Sequence, residues 1–415
     1  GEPRTHTEAE AIFVGYGLQA PDVKYDDLSG LDLRGKVAVF LSGAPSFIPG
    51  ALAAHLQRAE RWKRLRVAGA VGTASISDPQ ITDIPWERAT LARLQPSMTL
   101  TEPDPDEGTG QRLSIVINAD RADKWFTGSG HSMPEILELS RGNRPLPRFP
   151  LKVKVRAEVA TRESDLTSEN VAGLLPGSDV KLRSEHVVVT AHLDHLGIGK
   201  PINGDSIYNG AMDNASGIAT LIETAHALSP KQRRPRRSVL FAAVTGEEKG
   251  LQGSRYFARH PTAEPASIVA NINVDMFLPL FPLKSIVVYG LEESDLGDLS
   301  REVGRDQGIA VVADREPKRN IFTRSDQYNF IRQGVPALSF KFDAAPGSAE
   351  QRQMKDWLRE RYHAPSDDTA QPVDKAAAGR FNRYILALIE RVANRDERPR
   401  WKETSFFRRF AKGGS

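Results

Sequence analysis

Short apolar and β-branched runs, separated by Pro, Gly and charged turns, recur over the first 160 positions. "AIFVGYG" (11–17), "GKVAVFLSG" (35–43), "GAVGTASIS" (69–77), "LSIVINA" (113–119) and "LKVKVRAEVA" (151–160) each have the length and composition of a strand. Helical spacing precedes the third of them in "LAAHLQRAERWKRLRVAG" (52–69), and "LTEPDPDEGTG" (100–110) predicts a loop. Near Asn170 the texture changes to strand, helix, strand, helix. "VVVTAHLD" (187–194) is a strand. A helix comes next, with Ile218, Leu221, Ile222, Ala225 and Leu228 on one face. "SVLFAAVTG" (238–246) is again a strand, and a helix is expected around "LQGSRYFARH" (251–260). "SIVANINVD" (267–275), "SIVVYG" (285–290) and "VPALSFKF" (335–342) add strands, and Phe381, Tyr384, Ile385, Leu388, Ile389 and Val392 mark a closing helix. Apolar strands separated by helices predict an α/β fold whose central sheet is mostly parallel and carries helices on both faces. The expected division is a β-rich domain over 1–160 and an α/β domain over 161–395. A basic, aromatic tail over 396–415 is expected to dock on the surface or fray.

A length of 415 residues suits two domains rather than one core. A net charge of +3 over that length is nearly balanced and argues neither for a nucleic-acid partner, none being expected, nor for a membrane-surface protein. The densest basic run, "KQRRPRR" (231–237), reads as a solvated loop. Cysteine is absent, which excludes thiolate metal sites and a cysteine nucleophile and leaves His, Asp and Glu to hold any metal. No apolar run approaches the ~20 residues that span a bilayer. The chain opens without an initiator Met or a signal-like start, as a mature or trimmed form would.

Ligands in open α/β sheets bind beyond the carboxyl ends of the strands. Three strands of the second region end there in unusual residues: His192, Asp194 and His195 on the first, Glu247 and Glu248 on the next, Asp275 on the third. Asp213 lies at the entry to the helix after the first strand, and His363 in a loop before the last helix. Singly, Asp213 reads as a helix cap, the glutamates as first-turn acids and His363 as a surface histidine. Together they are harder to dismiss, because several carboxylates at one sheet edge repel one another unless a cation joins them. Imidazole with carboxylate suits zinc. Adjacent glutamates cannot easily face the same ion, so one is free to ligate while the other faces a water, the division a hydrolase needs.

In "HLDHLG", "YNGAMDNASG", "GEEKGLQGSRYF", "NINVD" and "YHAPSDD", taken in that order, the chain resembles the M28 di-zinc metallopeptidases over most of 165–395. "VGYGLQAPDVKYDDLSGLDLRGKVAVFLSG" in the first region is similar to the protease-associated (PA) domain that many members carry. The resemblance implies the zinc-peptidase fold and two zinc ions per chain. His192 and Asp275 would hold one, Glu248 and His363 the other, and Asp213 would bridge them. It further implies that Asp194 orients His192, that Glu247 is the general base, and that Tyr362 polarises the substrate carbonyl. The implied activity is removal of N-terminal residues from peptides by a metal-activated water, in a secreted or periplasmic enzyme. Met212 and Gln327 depart from the family, standing where members often have an acidic residue and a histidine. "NAS" at Asn214 also fits a glycosylation sequon. Three rivals share the fold: a one-zinc glutaminyl cyclase, a glutamate carboxypeptidase with a basic pocket, and a receptor-type binding protein that has lost its ligands.

Overall fold

The computed structural model describes residues 4–79, 82, 84–102 and 108–411. The chain forms two compact units. One comprises Gly1–Thr82, Thr101–Thr167 and Glu316–Asn320; the other comprises Asp83–Leu100, Ser168–Arg315 and Ile321–Ser415. The division near 167 lies close to the boundary that composition suggests. The stretch 83–100, however, groups with the second unit, and so does the tail.

The first unit is a five-stranded sheet: β1 (Arg4–Val14), β2 (Val37–Leu41), β3 (Gly72–Ile76), β4 (Leu113–Ile117) and β5 (Arg148–Ala160), in the order β4-β3-β2-β1-β5. The first four strands are parallel, and β5 runs antiparallel along β1. Every residue of β2 is buried, as a central strand covered on both faces requires. The helix expected over 52–69 is two α-helices, α1 (Gly50–His55) and α2 (Arg61–Val67), joined by a π-turn at Leu56–Glu60. Two further helices, not suggested by periodicity, are α3 (Ala119–Phe126) and α4 (Met133–Arg141), the latter opened by a Ser132/Glu135 capping box. The loop expected over 100–110 lies outside the described residues at 103–107.

Asp27 organises the turn after β1. It accepts the backbone N–H groups of Tyr16 and Leu18, both at 3.1 Å, and the Tyr25 hydroxyl at 2.6 Å. Gly15, at φ +65°, has no room for a side chain, because a Cβ would stand 2.9 Å from Asp27 Oδ1. Burial pushes the Asp27 carboxyl up to about 6 against these hydrogen bonds. The folded state therefore binds the proton more tightly than the unfolded chain. That stabilisation is complete below about pH 4 and is lost as pH rises through about 6, a swing of about 3 kcal/mol. Asp27→Asn is expected to lack the swing, so urea denaturation should show it gaining about that much on the wild type between pH 4 and pH 7. Parallel pH profiles for the two proteins would refute the assignment.

The second unit carries a seven-stranded sheet: β6 (Val171–Leu175), β7 (His186–His192), β10 (Ser238–Val244), β11 (Ile268–Asn273), β12 (Ser285–Tyr289), β13 (Ala310–Val312) and β14 (Ala337–Phe342). A separate hairpin pairs β8 (Gly197–Ile202) with β9 (Asp205–Tyr208). The sheet order is β13-β12-β14-β11-β7-β10-β6, with β14, β11, β7 and β10 mutually parallel. Helices cover both faces. Val187, Val189 and Ala191 of β7 pack with α5 (Ser216–Leu228), α7 (Leu296–Gln307) and α10 (Lys375–Asn394). Val188 points the other way, towards α6 (Gln252–Arg259) and α8 (Gln327–Arg332). This unit also holds α9 (Ala349–Glu360) and a single helical turn at Trp86–Ala89.

The basic run 231–237 is solvated only in its first half. Arg237 is fully buried, paired with Glu185 at 2.6 Å and donating to the Arg395 and Asp396 carbonyls just past α10. A guanidinium carries enough donors to satisfy helix-end carbonyls and a carboxylate together, which explains why this cation leaves water. The tail docks rather than frays: Trp401 Nε1 donates to the Gly334 carbonyl and Phe407 is fully buried. Residues 412–415 lie outside the described residues. Among the described residues no helix is long and apolar enough to cross a membrane.

Candidate metal centre

The parallel neighbours β11, β7 and β10 end side by side, so the residues just beyond each strand are brought to one edge. His192 closes β7, Glu247 and Glu248 lie just beyond β10, and Asp275 comes after β11. Asp213 sits in the turn Ala211–Ala215 that leads into α5. His363 comes after α9 in the left-handed backbone region, at φ +56°, a conformation that non-glycine residues adopt mainly where the surroundings enforce it. His192 Nε2 lies 3.1 Å from Asp213 Oδ1 and 3.5 Å from Asp275 Oδ1. His363 Nε2 lies 3.1 Å from Glu248 Oε2 and 3.4 Å from Asp213 Oδ2. The five side chains that the resemblance nominated as ligands thus form two groups that share Asp213.

Backbone contacts hold this arrangement. The Met212 and Asp213 N–H groups donate to the two carboxylate oxygens of Asp367, at 2.8 and 3.0 Å. Asp194 does two things. Its carbonyl oxygen is 2.9 Å from His192 Nδ1, while its carboxylate stands 3.8 Å from that nitrogen. The carboxylate instead accepts the N–H groups of Glu247 and Glu248, at 3.1 and 3.2 Å. The His192 ring is therefore oriented through the Asp194 main chain, and the Asp194 side chain fixes the glutamate turn. The Asp213–Asn214 peptide is cis. Asn214 is buried, with its side chain bonded to Val274 O, Gly217 N and Met276 N, so no sugar can reach the sequon. Met212 is a core residue, and Gln327 is fully buried between Asn273 and Phe322.

The charges show what the edge lacks. Burial depresses the His192 imidazole, yet Asp213 and Asp275 hold it well above its ordinary value. Burial raises Asp213, and His192 and His363 pull it well below the carboxylate range. Burial, together with the charges of Glu248, Asp275 and Asp326, pushes Glu247 well above its usual value despite His192. Several of these buried atoms, His192 Nε2, Glu248 Oε1 and both His195 nitrogens among them, have no hydrogen-bond partner. Unpartnered donors converging within 4.8 Å of one another, as in His192/Asp213/Asp275 and His195/Asp213/Glu248, fit divalent cations. Four-coordinate zinc at ~2.0–2.2 Å separates its donors by roughly 3.2–3.6 Å, and the four distances above, from 3.1 to 3.5 Å, lie close to that spacing.

Tyr362 places its ring 4.0 Å from that of His363, and burial, then the charge of Asp213, keeps its phenol well above the ordinary value and therefore protonated. Two residues that sequence reasoning left without a role belong to the site. Asp367 stands in "YHAPSDD" and His195 in "HLDHLG"; both lie inside the family-like motifs, but only the fold shows what they touch. A cavity of about 330 Å³ opens on Glu248 and His363. Its walls include Ile84, Leu91, Met98, Leu196 and Tyr208, with Arg88, Lys200 and Lys249 also present. The stretch 84–100 is tied down beside it: Arg88 donates to the Leu358 and Arg359 carbonyls, and Gln252 to that of Met98.

A mostly parallel α/β sheet with paired histidine–carboxylate groups at its carboxyl edge defines the class of the zinc peptidases. The model of peptidase family M28 matches residues 170–389, just over half of the chain, and the chain belongs to that family. It is 32% identical over 144 residues to the mouse protein Aminopeptidase NAALADL1, covering 34% of this chain and 18% of that one. It is 34% identical over 114 residues to Leupeptin-inactivating enzyme 1 of Streptomyces exfoliatus, covering 27% and 23%. The matched stretches thus span about a fifth of the length of these curated relatives. Among solved structures, an aminopeptidase from Aneurinibacillus sp. strain AM-1 has the same fold, with a TM-score of 0.51 at 18% identity, over 95% of this chain and 77% of that one.

Proposed function

We propose that this chain is a zinc-dependent exopeptidase that removes N-terminal residues from peptides. The observation that carries the reading is the pair of donor groups, His192/Asp275 and Glu248/His363, joined through Asp213 with Glu247 beside them. These residues would hold two zinc ions. Bound zinc supplies Lewis-acid polarisation of a carbonyl and acidifies water. Glu247 takes the proton from the attacking water and passes it to the leaving amine. Tyr362, protonated and with its ring beside that of His363, donates a hydrogen bond to the carbonyl oxygen as negative charge develops there. Asp194 and Asp367 keep the glutamate turn and Asp213 in place. The apolar walls of the adjoining cavity suit an aliphatic or aromatic side chain at the cleaved residue. The similarity of the first region to PA domains is the sole support for a secreted or periplasmic location.

A second reading draws on Arg88, Lys200 and Lys249, which line the same cavity and would suit a substrate carboxylate, as a carboxypeptidase requires. One assay series separates the two. Leucyl-p-nitroanilide is expected to be cleaved, its N-acetyl derivative spared, and cleavage lost on chelation and restored by zinc. Release of C-terminal residues from N-blocked peptides would favour the carboxypeptidase. A zinc content near one per chain, with cyclisation of N-terminal glutamine, would favour the cyclase. Inertness towards all of these with zinc bound would point to a binding protein.

A further inference from the structure

The five assigned donors leave one buried imidazole unused. We propose that His195 is a direct zinc ligand, donating Nδ1 to the cation held by Glu248, Asp213 and His363. This rests on the zinc reading above and adds a donor to it. His195 Nδ1 approaches Glu248 Oε1 to 2.9 Å, and the two side chains are only 6% and 5% exposed. At that distance a hydrogen bond is the ordinary expectation, yet neither atom has a hydrogen-bond partner.

Other histidines of the chain provide the contrast. His131 Nδ1 lies 3.1 Å from Glu135 Oε1 and His186 Nδ1 lies 2.8 Å from Ser267 Oγ, both in aligned hydrogen bonds. His192 Nε2 behaves like His195: it is 3.1 Å from Asp213 Oδ1 and unpartnered. His195, Asp213 and Glu248 keep their donor atoms within 4.8 Å of each other, as the donors of one metal ion must.

The ring is also held for the task. It packs on Gly210, at φ +68°, where a Cβ would stand 2.6 Å from His195 Cγ. It meets His363 edge-on, with centroids 5.7 Å apart and ring planes at 72°. A neutral donor strengthens the site without altering its charge. Three carboxylates, Asp213, Glu248 and Asp275, already oppose the charge of two dications.

X-ray absorption at the zinc edge of the full chain loaded with two zincs tests the proposal. Three imidazoles for every two zincs are expected in the wild type and two for every two in His195→Phe, which keeps the ring but removes the donor. Chelator competition should show the weaker-bound zinc of the variant released at least about 100-fold more readily, at or beyond the upper end of the 10–100-fold typical of an outer-sphere partner. A wild-type count of two imidazoles per two zincs overturns the proposal, whether or not the variant folds. A chain that takes up no zinc overturns the zinc reading itself, and the inference with it.

Discussion

Glu247→Gln is expected to lower kcat by about 10²–10⁴-fold, the usual worth of a general base, while zinc content stays at the wild-type value. The two halves of that result come from the same geometry. Glu247 and its neighbour Glu248 are both fixed by the Asp194 carboxylate through their backbone N–H groups, so the substitution leaves the turn intact. Glu248 faces His363, whereas Glu247 is buried where the charges of His192, Asp275 and Asp326 reach it. Glutamine fills the same volume but accepts no proton from water. Loss of zinc in this variant would make Glu247 a ligand, and wild-type turnover would remove it from the chemistry. Steady-state kinetics and metal analysis of one preparation decide between these.

Asp213→Asn is expected to release both cations and bring hydrolysis to background. Asp213 is the single side chain shared by the two groups, with Oδ1 at His192 and Oδ2 at His363. An amide offers one acceptor atom and no charge in place of two charged oxygens. Asp275 and Glu248 would then be the only two of the assigned carboxylates left to oppose the charge of the two cations. The backbone should survive, because Asp367 grips the Met212 and Asp213 N–H groups rather than the side chain. Thermal unfolding reports the effect without an activity assay. Zinc at 100 times its dissociation constant stabilises a folded protein by about 2.7 kcal/mol, so zinc should raise the wild-type Tm and leave that of the variant unmoved. Retention of two zincs by the variant would show that the bridge is dispensable.

Much of this site was legible because each strand announces its own end. Apolar runs stop at His192, before Glu247 and before Asp275, and a mostly parallel sheet must bring such ends to one edge. Residues whose role depends on a partner distant in sequence were not legible. Nothing in "KQRRPRR" marks Arg237 as the member that meets Glu185 and the end of α10 inside the protein. Nothing in 83–100 shows that it lines a cavity opening on Glu248 and His363. The same holds for Asp194, whose carboxylate fixes the distant Glu247–Glu248 turn rather than the His192 ring.

The sequence by itself determined the α/β alternation and the set of polar residues at the strand ends. These arise from hydrophobic periodicity and local turn chemistry, which are properties of neighbours along the chain. Only the tertiary structure decided which imidazole faces which carboxylate, that His195 joins Glu248, and that Asp367 fastens the turn carrying Asp213. Those pairings depend on strand order and on the packing of segments far apart in sequence. Local periodicity carries no record of such distances.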